Sequence, residues 1–136
     1  MTTTCVLGAG AFGTSLAKHL ADQGNETRLW ARSEPLVASI RDKRVNERYL
    51  PDAPLPDSLS ATSDMGAALD GASLVLFVVP SHATRDVVAQ ARPHLLESAS
   101  VCCATKGIEN ESLALMSEVI TDELQGKVGD RMTFLS

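Results

Sequence analysis

Short apolar runs alternate along this chain with segments whose hydrophobic positions recur every three to four residues, the mark of strands alternating with amphipathic helices. Residues 4–7 (TCVL) read as a short strand running straight into glycines. Residues 11–23 place Leu16, Ala17, Leu20 and Ala21 on one helical face, with Gly24 as the stop. Residues 27–31 read as a second strand, and Ser33 then has the chemistry of an N-cap, with Pro35 in the first turn and Leu36, Val37 and Ile40 as the buried face of a second helix. Residues 46–59 hold Pro51, Pro54 and Pro56, which rules out regular helix and predicts an ordered loop.

The alternation then resumes. A brief strand is expected at 60–62 and a short helix at 64–69, ended by Gly71. Residues 74–79 (LVLFVV) are the most hydrophobic run and read as a central strand buried on both faces. A helix at 84–91, a strand at 100–104, a helix at 112–124 carrying Leu113, Met116, Val119 and Ile120, and a strand at 132–135 complete the series. Strands joined by helices of this length make right-handed crossovers and a parallel sheet. Six of them are the full count of a doubly wound α/β domain of the Rossmann type. No internal repeat or low-complexity tract interrupts the pattern.

The turn after the first strand sharpens this. Gly8-Ala9-Gly10-Ala11-Phe12-Gly13 matches G-x-G-x-x-G, a weak signal alone but a specific one between a strand and a helix. Gly8 permits a tight turn, Gly10 lets a pyrophosphate approach the backbone, and Gly13 lets helix and strand pack closely. The N–H groups of Ala11 and Phe12 then face the anion from the helix N-terminus. The expected ligand is NAD or NADP.

Composition narrows the classes that remain. The 136 residues, 44% hydrophobic and 21% charged, suit one globular domain with a real core. A net charge of −5 argues against a nucleic-acid-binding surface, so an anionic ligand has to be held by local groups. Cys5, Cys102 and Cys103 are too few and too oddly placed for a disulfide framework or a metal site, and read as small core residues in a reducing compartment. The N-terminus lacks a basic signal-peptide region and no apolar run reaches membrane-spanning length, so a cytoplasmic protein without a membrane span is expected.

Four further positions carry candidate chemistry. Arg32 directly follows the second strand, where NAD-selective domains carry an acid for the ribose hydroxyl. A guanidinium there can pair with the 2′-phosphate of NADPH, lie on the adenine face, or remain a solvated surface group; the first option favours NADPH. After the central strand, Pro80 can present an apolar wall to the ribose or nicotinamide, Ser81 reads first as a helix N-cap, and His82 has no evident orienting acid and reads as a surface residue. Tyr49 either packs the proline loop onto the sheet or reaches the cofactor. Lys106, beside Gly107 at the carboxyl edge of the fifth strand, is placed for the nicotinamide end or is a solvated loop lysine.

Together GAGAFGTSLA (8–17), LWAR (29–32), NERYLP (46–51), VVPSH (78–82) and ATKG (104–107) resemble the bacterial soluble NAD(P)-dependent glycerol-3-phosphate dehydrogenases, in the family's order and over essentially the whole chain. The resemblance implies reversible hydride transfer between NAD(P)H and dihydroxyacetone phosphate, giving sn-glycerol 3-phosphate for phospholipid synthesis. It implies that Ala11 and Phe12 flank the pyrophosphate, that Arg32 lies at the adenosine 2′ side, that Tyr49 is a weaker cofactor contact, and that Lys106 touches both cofactor and substrate. Two positions depart from the family pattern: Ala11 is often serine, and Ser33 is often basic, which weakens the expected NADPH preference. The family also has a helical second domain that supplies the catalytic base and the substrate-phosphate ligands. The chain is therefore expected to be the N-terminal part of a longer enzyme, with little turnover alone, and with apolar surface on its last helix and strand that leaves a homodimer open. The alternatives are another two-domain dehydrogenase such as a ketopantoate reductase, and a non-catalytic NAD(P)-sensing module. Binding of S-adenosylmethionine is disfavoured, because Arg32 stands where a methyltransferase needs an acid.

Overall fold

The computed structural model describes residues 3–96, 98–104 and 132–134. Strand β1 spans Thr3–Leu7, α1 Ala11–Asp22, β2 Glu26–Trp30, α2 Glu34–Lys43, β3 Leu59–Thr62, α3 Met65–Leu69, β4 Leu74–Phe77, α4 Thr84–Ala91, β5 Ser100–Cys103 and β6 Met132–Phe134. All six strands pair in parallel in the order β3-β2-β1-β4-β5-β6. This is the doubly wound α/β arrangement, and the chain crosses from one half of the sheet to the other between β3 and β4. The helix expected at 112–124 lies outside the described residues.

The two-residue period of the strands sorts the core into two layers. Cys5, Leu7, Val75, Phe77, Val101 and Cys103 face one way, onto Met65, Leu69, Val87 and Val88 of α3 and α4. Val6, Leu29, Leu76 and Cys102 face the other way, onto Ala17, Ala21, Val37 and Ile40 of α1 and α2. Both faces of the sheet are covered, which is why LVLF reads as a continuous apolar run rather than an alternating one.

The punctuation residues act as their chemistry dictates. The Ser33 hydroxyl accepts the Leu36 N–H at 3.3 Å, capping α2, and Asp64 caps α3 by accepting from Ala67 at 3.1 Å. Gly24 closes α1 with φ +93°, its N–H donating to the Ala21 carbonyl. The five-residue α3 is held at its other end by Arg28 of β2, whose guanidinium donates to the carbonyls of Ala67 and Asp70.

Several element ends shift from expectation by one residue, and three differences bear on the site or the core. The strand expected over 74–79 ends at Phe77: the Val78 N–H still donates to the Leu7 carbonyl at 2.9 Å, but Val78 and Val79 then line the opening between β1 and β4. Leu59 is fully buried and opens β3 instead of closing the proline loop. Ser81 does not cap α4: it begins a 3-10 turn over Ser81–Ala83, and α4 follows with Ala83 before it and no side-chain cap.

All three cysteines are buried, and none is joined in a disulfide. Burial pushes the Cys5 thiol up to about 12, against the opposing pull of Arg28, and pushes Cys102 up as well. A raised folded-state value means these thiols stay neutral below pH 9, and the stability that neutrality contributes is lost as pH climbs toward 12. At about pH 8, therefore, Cys5, Cys102 and Cys103 should resist iodoacetamide in the native protein and react readily in denaturant. Mass spectrometry of the alkylated protein checks this, and fast native labelling of Cys5 would contradict the burial.

Candidate functional site

The carboxyl ends of β1, β2 and β4 surround a cavity of about 550 Å³. It opens between β1 and β4, where connections leave the sheet in opposite directions; loops cannot fill the space there, and open α/β sheets bind ligands at this point. The glycine turn of residues 8–13 forms its floor, and Trp30, Ala31, Arg32 and Leu36 one wall. Val78, Val79, Pro80, Ala83 and Val87 form the opposite wall, and Tyr49 reaches in from the proline loop.

The three motif glycines do different work. Gly8 has φ +123°, and a Cβ there would meet the Val78 carbonyl oxygen at 2.4 Å. A Cβ on Gly13 would lie 1.9 Å from the Gly8 carbonyl oxygen, so α1 can stand this close to the turn only without a side chain. At Gly10 a Cβ would meet nothing within 4 Å. Gly10 is the N-cap of α1 and offers no side-chain hydrogen bond to the first turn, so the open space borders helix N–H groups that no cap satisfies. Ala11 and Phe12 follow at the mouth, with Phe12 54% exposed.

A buried amide fastens the proline loop to this turn. Asn46 is fully buried, and its amide nitrogen donates to the Ala9 carbonyl at 2.9 Å and to the Thr14 hydroxyl at 2.8 Å. Its Oδ1 accepts the Tyr49 N–H at 3.2 Å. Asn46 and the buried Leu55 hold the loop down, which leaves Tyr49 40% exposed against the cavity with the Arg48 guanidinium 5.1 Å from its ring centroid. Asn46 was missed by the sequence reading. Its signal was present, as a lone asparagine directly before a turn, but its partners lie 32 and 37 residues away.

Arg32 is the only charged side chain among the described residues lining the cavity. Its Nη2 lies 2.5 Å from Asp86 Oδ2 on α4. Every site residue expected from sequence lines this cavity except Lys106, which lies outside the described residues. Ser81 and His82 are not part of the lining. Among the described residues, no three His, Cys, Asp or Glu side chains could hold a metal, and no helix is long and apolar enough to cross a membrane.

The family model described as NAD-dependent glycerol-3-phosphate dehydrogenase N-terminus matches residues 3–136. The chain belongs to this family. Within it, the chain is 45% identical, over all 136 residues, to a protein of Corynebacterium aurimucosum named glycerol-3-phosphate dehydrogenase of the NAD(P)+ type, covering 41% of that protein. The crystal structure of a glycerol-3-phosphate dehydrogenase from Coxiella burnetii superposes with a TM-score of 0.85 at 37% identity, over 90% of this chain and 38% of that one. A ketopantoate reductase from Ralstonia eutropha is similar at a lower level, with a TM-score of 0.70 and 27% identity over 98% of this chain and 40% of that one. The chain thus spans about two fifths of the length of the curated relatives it matches.

The glycines make separable predictions. Gly13→Ala should lower stability by about 1–3 kcal/mol, because backbone has to move to admit the methyl group. Gly10→Ala, with an extended backbone and free space, should change stability by less than about 1 kcal/mol, the lower entropy of the unfolded chain offsetting the poorer N-cap. Denaturant midpoints of the two variants give the comparison. Asn46→Ala should cost about 1–3 kcal/mol through its unpaired partners and raise protease cleavage within residues 46–59.

Proposed function

We propose that this chain is the NAD(P)-binding domain, residues 1–136, of a longer sn-glycerol-3-phosphate dehydrogenase. The enzyme reversibly reduces dihydroxyacetone phosphate to sn-glycerol 3-phosphate for glycerophospholipid synthesis in the cytoplasm. The observation that carries this reading is the cavity at the parting of β1 and β4, with an uncapped helix N-terminus on its floor and a cation on its wall.

The fit to a dinucleotide is chemical. The helix dipole and the N–H groups at Ala11 and Phe12 suit a pyrophosphate, and the open space over Gly10 admits it without displacing a side chain. Trp30, Leu36, Val79 and Val87 give apolar walls for ring systems, and Pro80 presents a rigid apolar face. Arg32 is the cation for a 2′-phosphate, so NADPH is favoured over NADH. Tyr49 adds an edge contact.

The bound nicotinamide supplies the hydride. The chain's own residues bind and orient the coenzyme and exclude water from it. Lys106, just beyond β5, is assigned to cofactor and substrate together, where an ammonium would neutralise phosphate charge or polarise the carbonyl oxygen. The catalytic base and the remaining substrate-phosphate ligands belong to the part of the enzyme outside this chain.

Two measurements on the full-length protein test the reading. Calorimetric titration should show binding of both coenzymes, NADPH the tighter. Arg32→Ala should weaken NADPH about tenfold and NADH by less than about threefold, the scale of one exposed charge-assisted contact. Turnover should appear with dihydroxyacetone phosphate and be absent with ketopantoate. Ketopantoate turnover would overturn the substrate assignment, and an unchanged NADPH affinity in Arg32→Ala would overturn the role of Arg32.

A further inference from the structure

Among the described residues, the one cation of the cavity wall is already engaged. Arg32, at the exit of β2, and Asp86, in the first turn of α4, are 54 residues apart in sequence. They approach from opposite walls, Arg32 beside Leu36 on one side and Asp86 beside the lining residues Ala83 and Val87 on the other. Their ion pair therefore bridges one end of the cavity. Gln90 Nε2 donates to the same Asp86 oxygen at 3.0 Å and fixes the carboxylate in this orientation. Glu34, two residues on from Arg32, instead accepts the Ser63 hydroxyl.

The side chains of Arg32 and Asp86 are 61% and 62% exposed. An ion pair this open to water is weak and exchanges partners readily. A ribose 2′-hydroxyl makes no demand on it. A 2′-phosphate does, because the guanidinium has to leave Asp86, and the phosphate then sits within a few ångströms of a carboxylate of like charge.

We propose that Asp86 is a coenzyme-selectivity residue: it holds Arg32 across the end of the cavity and thereby lowers affinity for a 2′-phosphorylated dinucleotide relative to its unphosphorylated counterpart. This rests on the dinucleotide reading of the cavity. It tempers the NADPH preference that Arg32 confers, through competition between phosphate and carboxylate for one guanidinium. Asp86 acts partly through Arg32 and is to that extent a positioning residue.

The test is the dissociation constant of NADPH and of NADH, by calorimetry on the full-length protein, for the wild type, Asp86→Asn, Asp86→Glu, Arg32→Ala and the Arg32→Ala/Asp86→Asn double variant. Asp86→Asn keeps the acceptor for Gln90 and removes only the charge. It should tighten NADPH about three- to tenfold and move NADH by less than about twofold. Asp86→Glu should keep the wild-type ratio. The gain should shrink in the Arg32→Ala background, and also at an ionic strength of about 1 M, where screening reaches about 3 Å. An unmoved NADPH-to-NADH ratio in Asp86→Asn overturns the proposal. So does parallel weakening of both coenzymes, which would mean that Asp86 only steadies Arg32 over the adenine. Failure of the wild type to bind either coenzyme would instead bring down the dinucleotide reading, and the proposal with it.

Discussion

Three stretches of backbone compete for the same few ångströms where β1 ends. The Gly8 carbonyl lies where a side chain on Gly13 would be, and the Val78 carbonyl lies where one on Gly8 would be. Close packing of this kind tolerates no intermediate: either both positions lack a Cβ or α1 and the β4 exit move apart. Because they stay together, α1 begins immediately beside the sheet, and its N-terminus points into the gap between β1 and β4. The cavity, its apolar walls and its anion-facing floor all follow from that one contact.

A second tier of interactions turns the gap into a site. The proline loop has little regular hydrogen bonding of its own, so its position depends on side chains. Asn46 ties its start, by satisfying Ala9 and Thr14 at the turn and the Tyr49 N–H in the loop, and Arg44 ties its end, by donating to the carbonyls of Pro56 and Leu59. A buried amide with these three bonds made is favourable, and with one lost it leaves polar atoms stranded away from water. The loop is thereby tied to the geometry of the turn beneath it, and Tyr49 faces the cavity as a consequence of its neighbour's bonding.

What could be read in the sequence was local or periodic. The alternation of apolar runs with three-to-four-residue patterns carries the parallel sheet. Caps such as Ser33 and Asp64 act on residues three positions away, and the glycine turn announces its own φ requirement at Gly8. The features that escaped depend on partners distant in sequence. The run LVLFVV looks uniformly strand-like, but regular pairing stops at Phe77 and its last two residues line the cavity, which no periodicity encodes. Asn46 has the composition of an ordinary loop residue until Thr14 is placed beside it. Arg32 was legible as a cation at the right strand end, whereas its pairing with Asp86 exists only once β2 and α4 flank the same opening.

The clamp on α3 bears on how this fold is assembled. A helix of five residues cannot persist alone, since nucleation fixes more backbone than its few hydrogen bonds return. Here Asp64 satisfies the first turn from within, but the guanidinium at the far end comes from Arg28, in the middle of β2. The segment that carries the chain across the sheet thus takes its shape in part from a strand of the first half, so a change at Arg28 would be felt in the connection to the second.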